Sequence, residues 1–425
     1  MSFLILPNQL FEVKHLDKSL EHIIYEHPHY FKSYKYNKKK LILHRASMKY
    51  YHDYLKKNKI KSKYVEFDEK LKIKDYKIFD PVDKIKLPGK PEILETPNFL
   101  LSKEIYEEYR KKTKKFFFNG FYMWGKKKID VLPNVKSQDK YNRKSLPKDE
   151  KIPKVPSNKS DQKYINEAIK YINKHFSRNY GNVDNFMFPV THSTAKKFFR
   201  YFLKYKLKNF GEFQDAIVEE NNTLFHSLLS TSINIGLLNP IDLAEKVEKV
   251  KVPLNSKEGY IRQLFWREYQ RFCYIYYNFK GKNYFGNRKK LTKEWYDGTT
   301  GVDPIDNSIV IGFDTGYLHH IERLMVMGNF MNLSGISPKE GFKWFMEFSC
   351  DSYEWVMHQN VYDMVFFVSG GATMRRPYIS SSNYISKMSN YKKGDWNDVW
   401  DKKYKDFIKK HRKKLLKFRY YFRSL

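Results

Sequence analysis

Gly316-Tyr317-Leu318-His319-His320-Ile321-Glu322-Arg323-Leu324-Met325-Val326-Met327-Gly328-Asn329-Phe330 is the stretch around which the rest of the chain is organised. Read at 3.6 residues per turn, Ile321, Leu324, Met325 and Phe330 fall on or near one face, so the spacing predicts a buried amphipathic helix with two histidines at its mouth. Adjacent helix positions point about 100° apart, so His319 and His320 cannot do the same job. Taken alone, such a pair reads as one core histidine satisfied by a hydrogen bond and one solvated neighbour. Other residues have to converge on it before it means more.

Outward from that helix, the pattern stays helical over most of the chain. Lys163 to Phe176 and Ser193 to Leu207 carry apolar residues at three and four spacing, the second opened by Thr191 and Ser193 as candidate caps. Ser337-Pro338 opens a helix through Trp355, with proline in the first turn where its missing N–H costs nothing. The tail from Lys402 is basic and amphipathic. The first part differs. Phe3 to Leu6, Ile23 to Tyr25, Leu41 to Leu43 and Tyr64 to Phe67 read as buried strands, with Ala46 to Lys57 as a helix between the last two. That alternation predicts a parallel sheet with helices on its faces. No Gly-x-Gly-x-x-Gly follows any of these strands, so a dinucleotide fingerprint is absent. From Asp130 to Ser160 the composition shifts to Pro, Lys, Asn, Asp and Ser, including Asn142-Arg143-Lys144-Ser145-Leu146-Pro147, and reads as a connection. The expected architecture is α/β plus all-α: a parallel-sheet domain at 1–135, a linker at 136–160 and a large helical domain at 161–425.

Composition narrows the function classes. A chain of 425 residues exceeds one usual domain, and 41% hydrophobic with 17% aromatic content supports well-buried cores. The 80 Lys+Arg against 47 Asp+Glu give a formal charge of +33, which attracts polyanions and favours nucleic acid as a partner. Part of that excess follows from the abundance of Lys, Asn, Tyr and Ile that an AT-rich coding sequence produces. Cys273 and Cys350 cannot build a disulfide framework or a four-cysteine metal site and suggest a reducing compartment. Phe3-Leu4-Ile5-Leu6 lacks a basic lead and soon meets Asn8 and Gln9, so it reads as a strand and not a signal peptide. No run approaches the ~18 apolar residues that a membrane span needs. The expectation is an intracellular, soluble monomer, in cytoplasm or nucleus.

Two further segments carry candidate chemistry. Leu224-Phe225-His226-Ser227-Leu228-Leu229-Ser230-Thr231-Ser232-Ile233-Asn234-Ile235-Gly236-Leu237-Leu238 sets hydroxyls, a glycine and an asparagine inside an apolar helical pattern. That suits either a helix start that binds an anionic group or an ordinary capped helix whose hydroxyls bond their own backbone. Tyr260-Ile261-Arg262-Gln263-Leu264-Phe265-Trp266-Arg267-Glu268-Tyr269 places Trp266 beside Arg262 and Arg267, either a base-stacking plane with phosphate-binding cations or a core tryptophan.

Together, Ser227 to Gly236, Gln263 to Tyr269, the His319-His320 helix and Asp351 to Asn360 resemble the photolyase/cryptochrome superfamily, and more closely the bacterial-type (6-4) photolyases, or deoxyribodipyrimidine photolyase-related proteins. The similarity runs nearly end to end, from Leu6-Pro7-Asn8-Gln9-Leu10-Phe11 through Leu43-His44-Arg45-Ala46-Ser47-Met48-Lys49 and Thr96-Pro97-Asn98-Phe99-Leu100-Leu101 to Arg376-Pro377-Tyr378-Ile379. The resemblance implies a Rossmann-like antenna domain followed by a helical domain holding FAD in a bent conformation. It implies that Ser227, Leu229 and Ser230 hold FAD phosphates, that Arg267, Asp351 and Asn360 approach the flavin, and that Gln263 and Trp266 meet the flipped lesion. It makes His320 the proton donor with His319 assisting, and Trp344 and Trp295 the electron path for flavin reduction. The activity it implies is light-driven repair of (6-4) pyrimidine photoproducts in UV-damaged DNA: excited reduced flavin gives an electron and an imidazolium supplies a proton, which histidine can do near neutral pH. Lifting a crosslinked base pair from the stack costs less than lifting sound bases.

Departures from the family pattern qualify this. Many relatives hold a four-iron cluster through four cysteines, one pair in a Cys-x-x-Cys after a Met-Ser-x-Tyr segment; here Met388-Ser389-Asn390-Tyr391 continues Lys392-Lys393-Gly394-Asp395, so no iron–sulfur cluster is expected. Phe345 follows Trp344 where some relatives have tyrosine, which removes one oxidisable phenol, and Met357 replaces an acidic residue near the flavin. No motif identifies an antenna chromophore. Two other functions compete: a cryptochrome-like blue-light photoreceptor that binds FAD without repairing DNA, and a relative that binds nucleic acid without flavin.

Overall fold

The structure, a computed structural model, describes residues 1–422. Five short strands, β1 (Ser2–Ile5), β2 (Glu21–Tyr25), β3 (Ser62–Val65), β4 (Asp75–Phe79) and β5 (Lys90–Leu94), form one parallel sheet in the order β3-β2-β1-β4-β5. In the centre, Leu4 lies opposite Ile23 on one side and Ile78 on the other. Phe3, Leu4 and Ile5 are buried, as a parallel strand covered on both faces requires. Leu41 to Leu43, read above as a strand, lies instead inside the helix Lys38–Lys57, which Asn37 caps by accepting the Lys39 N–H at 2.9 Å. A short apolar run does not distinguish a buried strand from a buried helix, and this helix is buried continuously from Lys39 to Met48. β4 and β5 escaped the sequence reading because polar residues interrupt them; Ile93 of the edge strand is 54% exposed.

The helix Gln162–His175 packs on Lys38–Lys57. The Arg45 guanidinium ties the two to the sheet, meeting Glu26 and Glu66 at 2.9 Å and Glu167 at 2.7 Å. Between the sheet and the helices, Asp139–Tyr141 forms a single turn, and Asp139 accepts from Arg262 at 2.5 Å, so this connection is fastened to the helical part.

The remaining chain is helical, which makes the architecture α/β followed by all-α. Its spine is the 23-residue helix Leu254–Tyr276. Helix Leu207–Phe213 crosses it closely at Gly211, where a Cβ would come within 2.6 Å of the Ser256 backbone. As expected, Thr191 caps the helix His192–Tyr201, accepting from the Thr194 N–H, and the next turn widens to π-helix over Phe202–Lys206. Pro338 opens a helix capped by Ser337, but that helix stops at Phe348 and not at Trp355. The chain unwinds over 349–353 and resumes as Glu354–Gln359, where Asp83 from the sheet side accepts the Trp355 N–H at 2.8 Å. The Gly316–Phe330 stretch is likewise divided. Gly316, at φ +67°, ends the helix Asp303–Thr315 in the left-handed region, and helical structure restarts only at His320. No helix among the described residues is long and apolar enough to cross a membrane.

Candidate active site

Ser227, Leu229, Ser230, Gln263, Arg267, His319, His320, Asp351 and Asn360 all line one cavity of about 290 Å³ in the helical part. Two of its walls, Glu322–Gly328 and Asn360–Val365, are π-helical, a widening that recurs at functional sites. Ile233, Leu264, Leu318, Val361 and Val365 supply an apolar surface between the polar groups.

At one end, the helix start read between Leu224 and Leu238 is mostly a turn, with helix only from Ser230 to Asn234. Leu228, at φ +57°, holds a strained left-handed conformation between Ser227 and Leu229. The Ser227 hydroxyl accepts the Leu229 N–H at 3.4 Å. The hydroxyls of Thr231 and Ser232 are buried without a protein partner.

Asp351 owes its position to the break after Phe348. It takes a two-point ion pair from Arg323, at 2.8 and 3.3 Å, and a hydrogen bond from Ser349. Burial opposes its ionisation, but Arg323 and the hydroxyls of Ser349 and Ser230 outweigh burial and hold the carboxyl below its usual range. Arg267 donates to Asn234 Oδ1 at 2.9 Å and to the Asn98 carbonyl at 2.6 Å, its guanidinium over the rings of Phe99 and Trp355, while Nη2 has no partner. Burial pulls its pKa down to about 10. Asn360 is held by Gln270, which donates to its Oδ1 at 2.7 Å, and by its own donation to the Val356 carbonyl at 2.8 Å. Gln263 reaches Gln214 at 3.4 Å.

The two histidines differ as their helical offset predicts. His319 sits just before the helix, and its backbone N–H donates at 2.9 Å to Glu322, half of a capping box. Its buried ring stacks on that of His226, centroids 4.7 Å apart at 18°, and both of its ring nitrogens lack a hydrogen-bond partner. Glu322 Oε2 lies 3.5 Å from its Nε2, yet burial keeps the imidazole neutral and pushes the Glu322 carboxyl up to about 8. His320 opens on the cavity and is exposed there. The protein around its ring, with the charges of Arg323 and Arg262, lowers its pKa to about 4.

Three tryptophans lie outside the cavity. Trp266 turns away from it, its ring stacked on Phe118 at 3.7 Å and 8°, a partner that aromatic surface on a helix readily finds within its own fold. Trp344 is fully buried behind Phe345, which lines the cavity. Its indole N–H donates to the Trp295 carbonyl at 2.7 Å, and Trp295 is itself buried. Met357 lines the cavity, and Cys273 and Cys350 are buried free thiols.

A sequence model of the family described as deoxyribodipyrimidine photo-lyase-related protein matches residues 3–83 and 74–188. A protein of Agrobacterium fabrum described as a (6-4) photolyase is 36% identical over 327 residues, 73% of this chain and 62% of that protein. Residues 3–188 thus match the deoxyribodipyrimidine photo-lyase-related family. The chain's match spans less than two thirds of the length of that Agrobacterium relative. The fold resembles two solved structures. A bacterial class III photolyase from Agrobacterium tumefaciens has a TM-score of 0.58 and 14% identity, over 91% of this chain and 86% of that one. An archaeal photolyase from Sulfolobus tokodaii with two FAD molecules has a TM-score of 0.57 and 12% identity, over 97% of this chain and all of that one. At such identities the likeness is one of fold.

Four residues at or beside the cavity carry no role in the sequence reading: Arg323, His226 and Asp215 line it, and Glu322 adjoins them. Arg323 and Glu322 lay within the opening stretch, where i+3 and i+4 spacing from His319 was the available signal. His226 directly precedes Ser227, and nothing local marks it as a partner of a residue 93 positions on. Asp215 lines the cavity with its pKa raised to about 6, by burial first and then by Asp139.

Proposed function

We propose that this chain is a light-driven, FAD-dependent DNA photolyase acting on (6-4) pyrimidine photoproducts. The observation that carries the reading is that one cavity holds both the Ser227–Ser230 turn and the His319-His320 pair. The donor set fits a dinucleotide flavin. Hydroxyls of Ser227 and Ser230 sit beside a strained turn suited to phosphate, apolar side chains follow, and Arg267 Nη2 faces its surroundings without a partner. Ser227, Leu229 and Ser230 would hold the phosphates, with Arg267, Asn360 and the Arg323–Asp351 pair beside the ring system. Reduced FAD held there would, on absorbing light, supply one electron to the lesion. The protein's part is to exclude water with its apolar wall, orient the lesion through Gln263, and deliver and recover one proton at the His320 ring. His319, buried against His226 and Glu322, fixes the direction of its neighbour. Basic surface holds the phosphates of UV-damaged DNA, since phosphate contacts position a duplex whatever its sequence.

The reading keeps an antenna-type domain at 1–135, a linker at 136–160 and a catalytic domain at 161–425 in a monomer. It includes no iron–sulfur cluster, because Lys392-Lys393-Gly394-Asp395 stands where relatives place Cys-x-x-Cys. The test is repair of defined (6-4) and cyclobutane lesions in oligonucleotides by reduced, illuminated protein. Purified protein is expected to be yellow, and His320→Ala to lose repair while keeping flavin. Full repair by that variant would overturn the role of His320. Photoreduction without repair would favour a blue-light sensor, and a colourless protein a flavin-free nucleic-acid binder.

A further inference from the structure

We infer that the electron path behind the cavity ends at Tyr296, with Glu347 as the acceptor of its phenol proton. The inference rests on the flavin reading above and concerns residues outside the cavity. Trp344 donates its indole N–H to the Trp295 carbonyl, which is the carbonyl of the peptide bond joining Trp295 to Tyr296. One hydrogen bond and a few covalent bonds therefore connect the Trp344 ring to Tyr296. A second route passes through space: Phe313 stands edge-on to Trp344 at 5.7 Å and lies 5.9 Å from Tyr296. Tyr296 in turn stacks on Tyr180 at 4.9 Å and 19°.

What distinguishes Tyr296 from Trp295 is a base. Its hydroxyl donates to Glu347 Oε2 at 3.1 Å, and Lys343 Nζ donates to the same oxygen at 3.0 Å and to the Tyr296 hydroxyl at 3.3 Å. Glu347 Oε1 accepts the Lys35 N–H at 3.3 Å. The phenol proton already lies in a hydrogen bond to Glu347 Oε2, so its transfer needs only a move along that bond. Trp344 gives one electron to the light-excited flavin, which is reduced by one electron. Tyr296 then gives one electron to the Trp344 cation radical and its phenol proton to Glu347 Oε2. The products are neutral Trp344, a neutral tyrosyl radical and a protonated carboxyl. Loss of the proton traps the hole, because return of the electron then requires return of the proton. The site opens on a surface cleft of about 550 Å³ lined by Tyr180, Glu347, Lys32, Lys35 and Lys343, through which a small anionic reductant can restore the tyrosine. This supplies the phenol that Phe345 does not.

The test is time-resolved absorption and electron paramagnetic resonance after a light flash on oxidised, flavin-bound protein. A neutral tyrosyl radical is expected in the wild type and lost in Tyr296→Phe, while Trp295→Phe retains it. Glu347→Gln is expected to slow its formation and remove the solvent deuterium isotope effect. An unchanged tyrosyl signal in Tyr296→Phe, or its loss in Trp295→Phe alone, overturns the assignment. Flash oxidation with a soluble ruthenium photo-oxidant generates the same hole without flavin. The Tyr296-dependent signal there tests the assignment even where the cofactor reading fails.

Discussion

Replacing Glu322 with glutamine should make the protein more stable at neutral pH and leave it nearly unchanged in acid. Glu322 is buried, 4% exposed, at the third position of the helix that His320 starts. Its carboxyl accepts the His319 N–H at 2.9 Å, a bond that a glutamine oxygen can keep. Burial raises its pKa to about 8, against the opposing pull of the His319 N–H and Arg323. For an acid whose folded pKa lies above its unfolded one, stability is fully present below the unfolded value and lost as pH rises through the folded one. Between an unfolded pKa of 4.5 and a folded pKa of about 8, the linkage amounts to about 1 kcal/mol at pH 5 and about 3 kcal/mol at pH 7. Glu322→Gln removes that dependence. Denaturant unfolding at the two pH values should therefore show a stabilisation about 2 kcal/mol larger at pH 7 than at pH 5. An offset that is equal at both pH values, or a destabilised variant at pH 7, refutes the claim that Glu322 is held protonated. A native residue that weakens the fold at working pH needs a use, and its carboxyl lies 3.5 Å from His319 Nε2.

Asp351→Ala strands the Arg323 guanidinium in a buried site and should cost about 3–5 kcal/mol in equilibrium unfolding, with loss of flavin retention on gel filtration as a second readout. Gly316→Ala forces a side chain into the left-handed region against the Cys350 sulfur and should cost about 1–3 kcal/mol in the same measurement. The His320 ring should be neutral at pH 7 in the free chain and gain its proton when a damaged duplex binds; proton–nitrogen correlation spectra of labelled histidine with and without the duplex report this directly.

How much of this was legible in the sequence depends on whether a signal was local. The central strand, the Thr191 and Ser337 caps and the opening of the Pro338 helix were readable because a few neighbouring residues decide them. The Leu41–Leu43 run was misread because its partner in burial, the helix Gln162–His175, lies more than a hundred residues away. Trp266 shows the same limit, since Phe118 decides where its ring goes. The cavity members were legible as residue types in recurring segments, whereas the pairing of Arg323 with Asp351 required the unwinding at 349–353.

The charge state of His320 was the least legible. Histidine suits proton donation because its ordinary pKa is near neutrality, but here the protein packed around the ring, and after it the charges of Arg323 and Arg262, lower that value to about 4. Returning it to the neutral range takes a shift of about 3 units, on the order of 4 kcal/mol, before the screening that an exposed ring experiences is subtracted. One unit negative charge about 4 Å away, at the effective dielectric of a protein surface, supplies on the order of 4 kcal/mol. A bound duplex, or a lesion that has just accepted an electron, carries such a charge. The desolvation and the two arginines that suppress protonation in the free chain thus make proton delivery conditional on an anionic occupant, and the donor is armed only when there is something to repair.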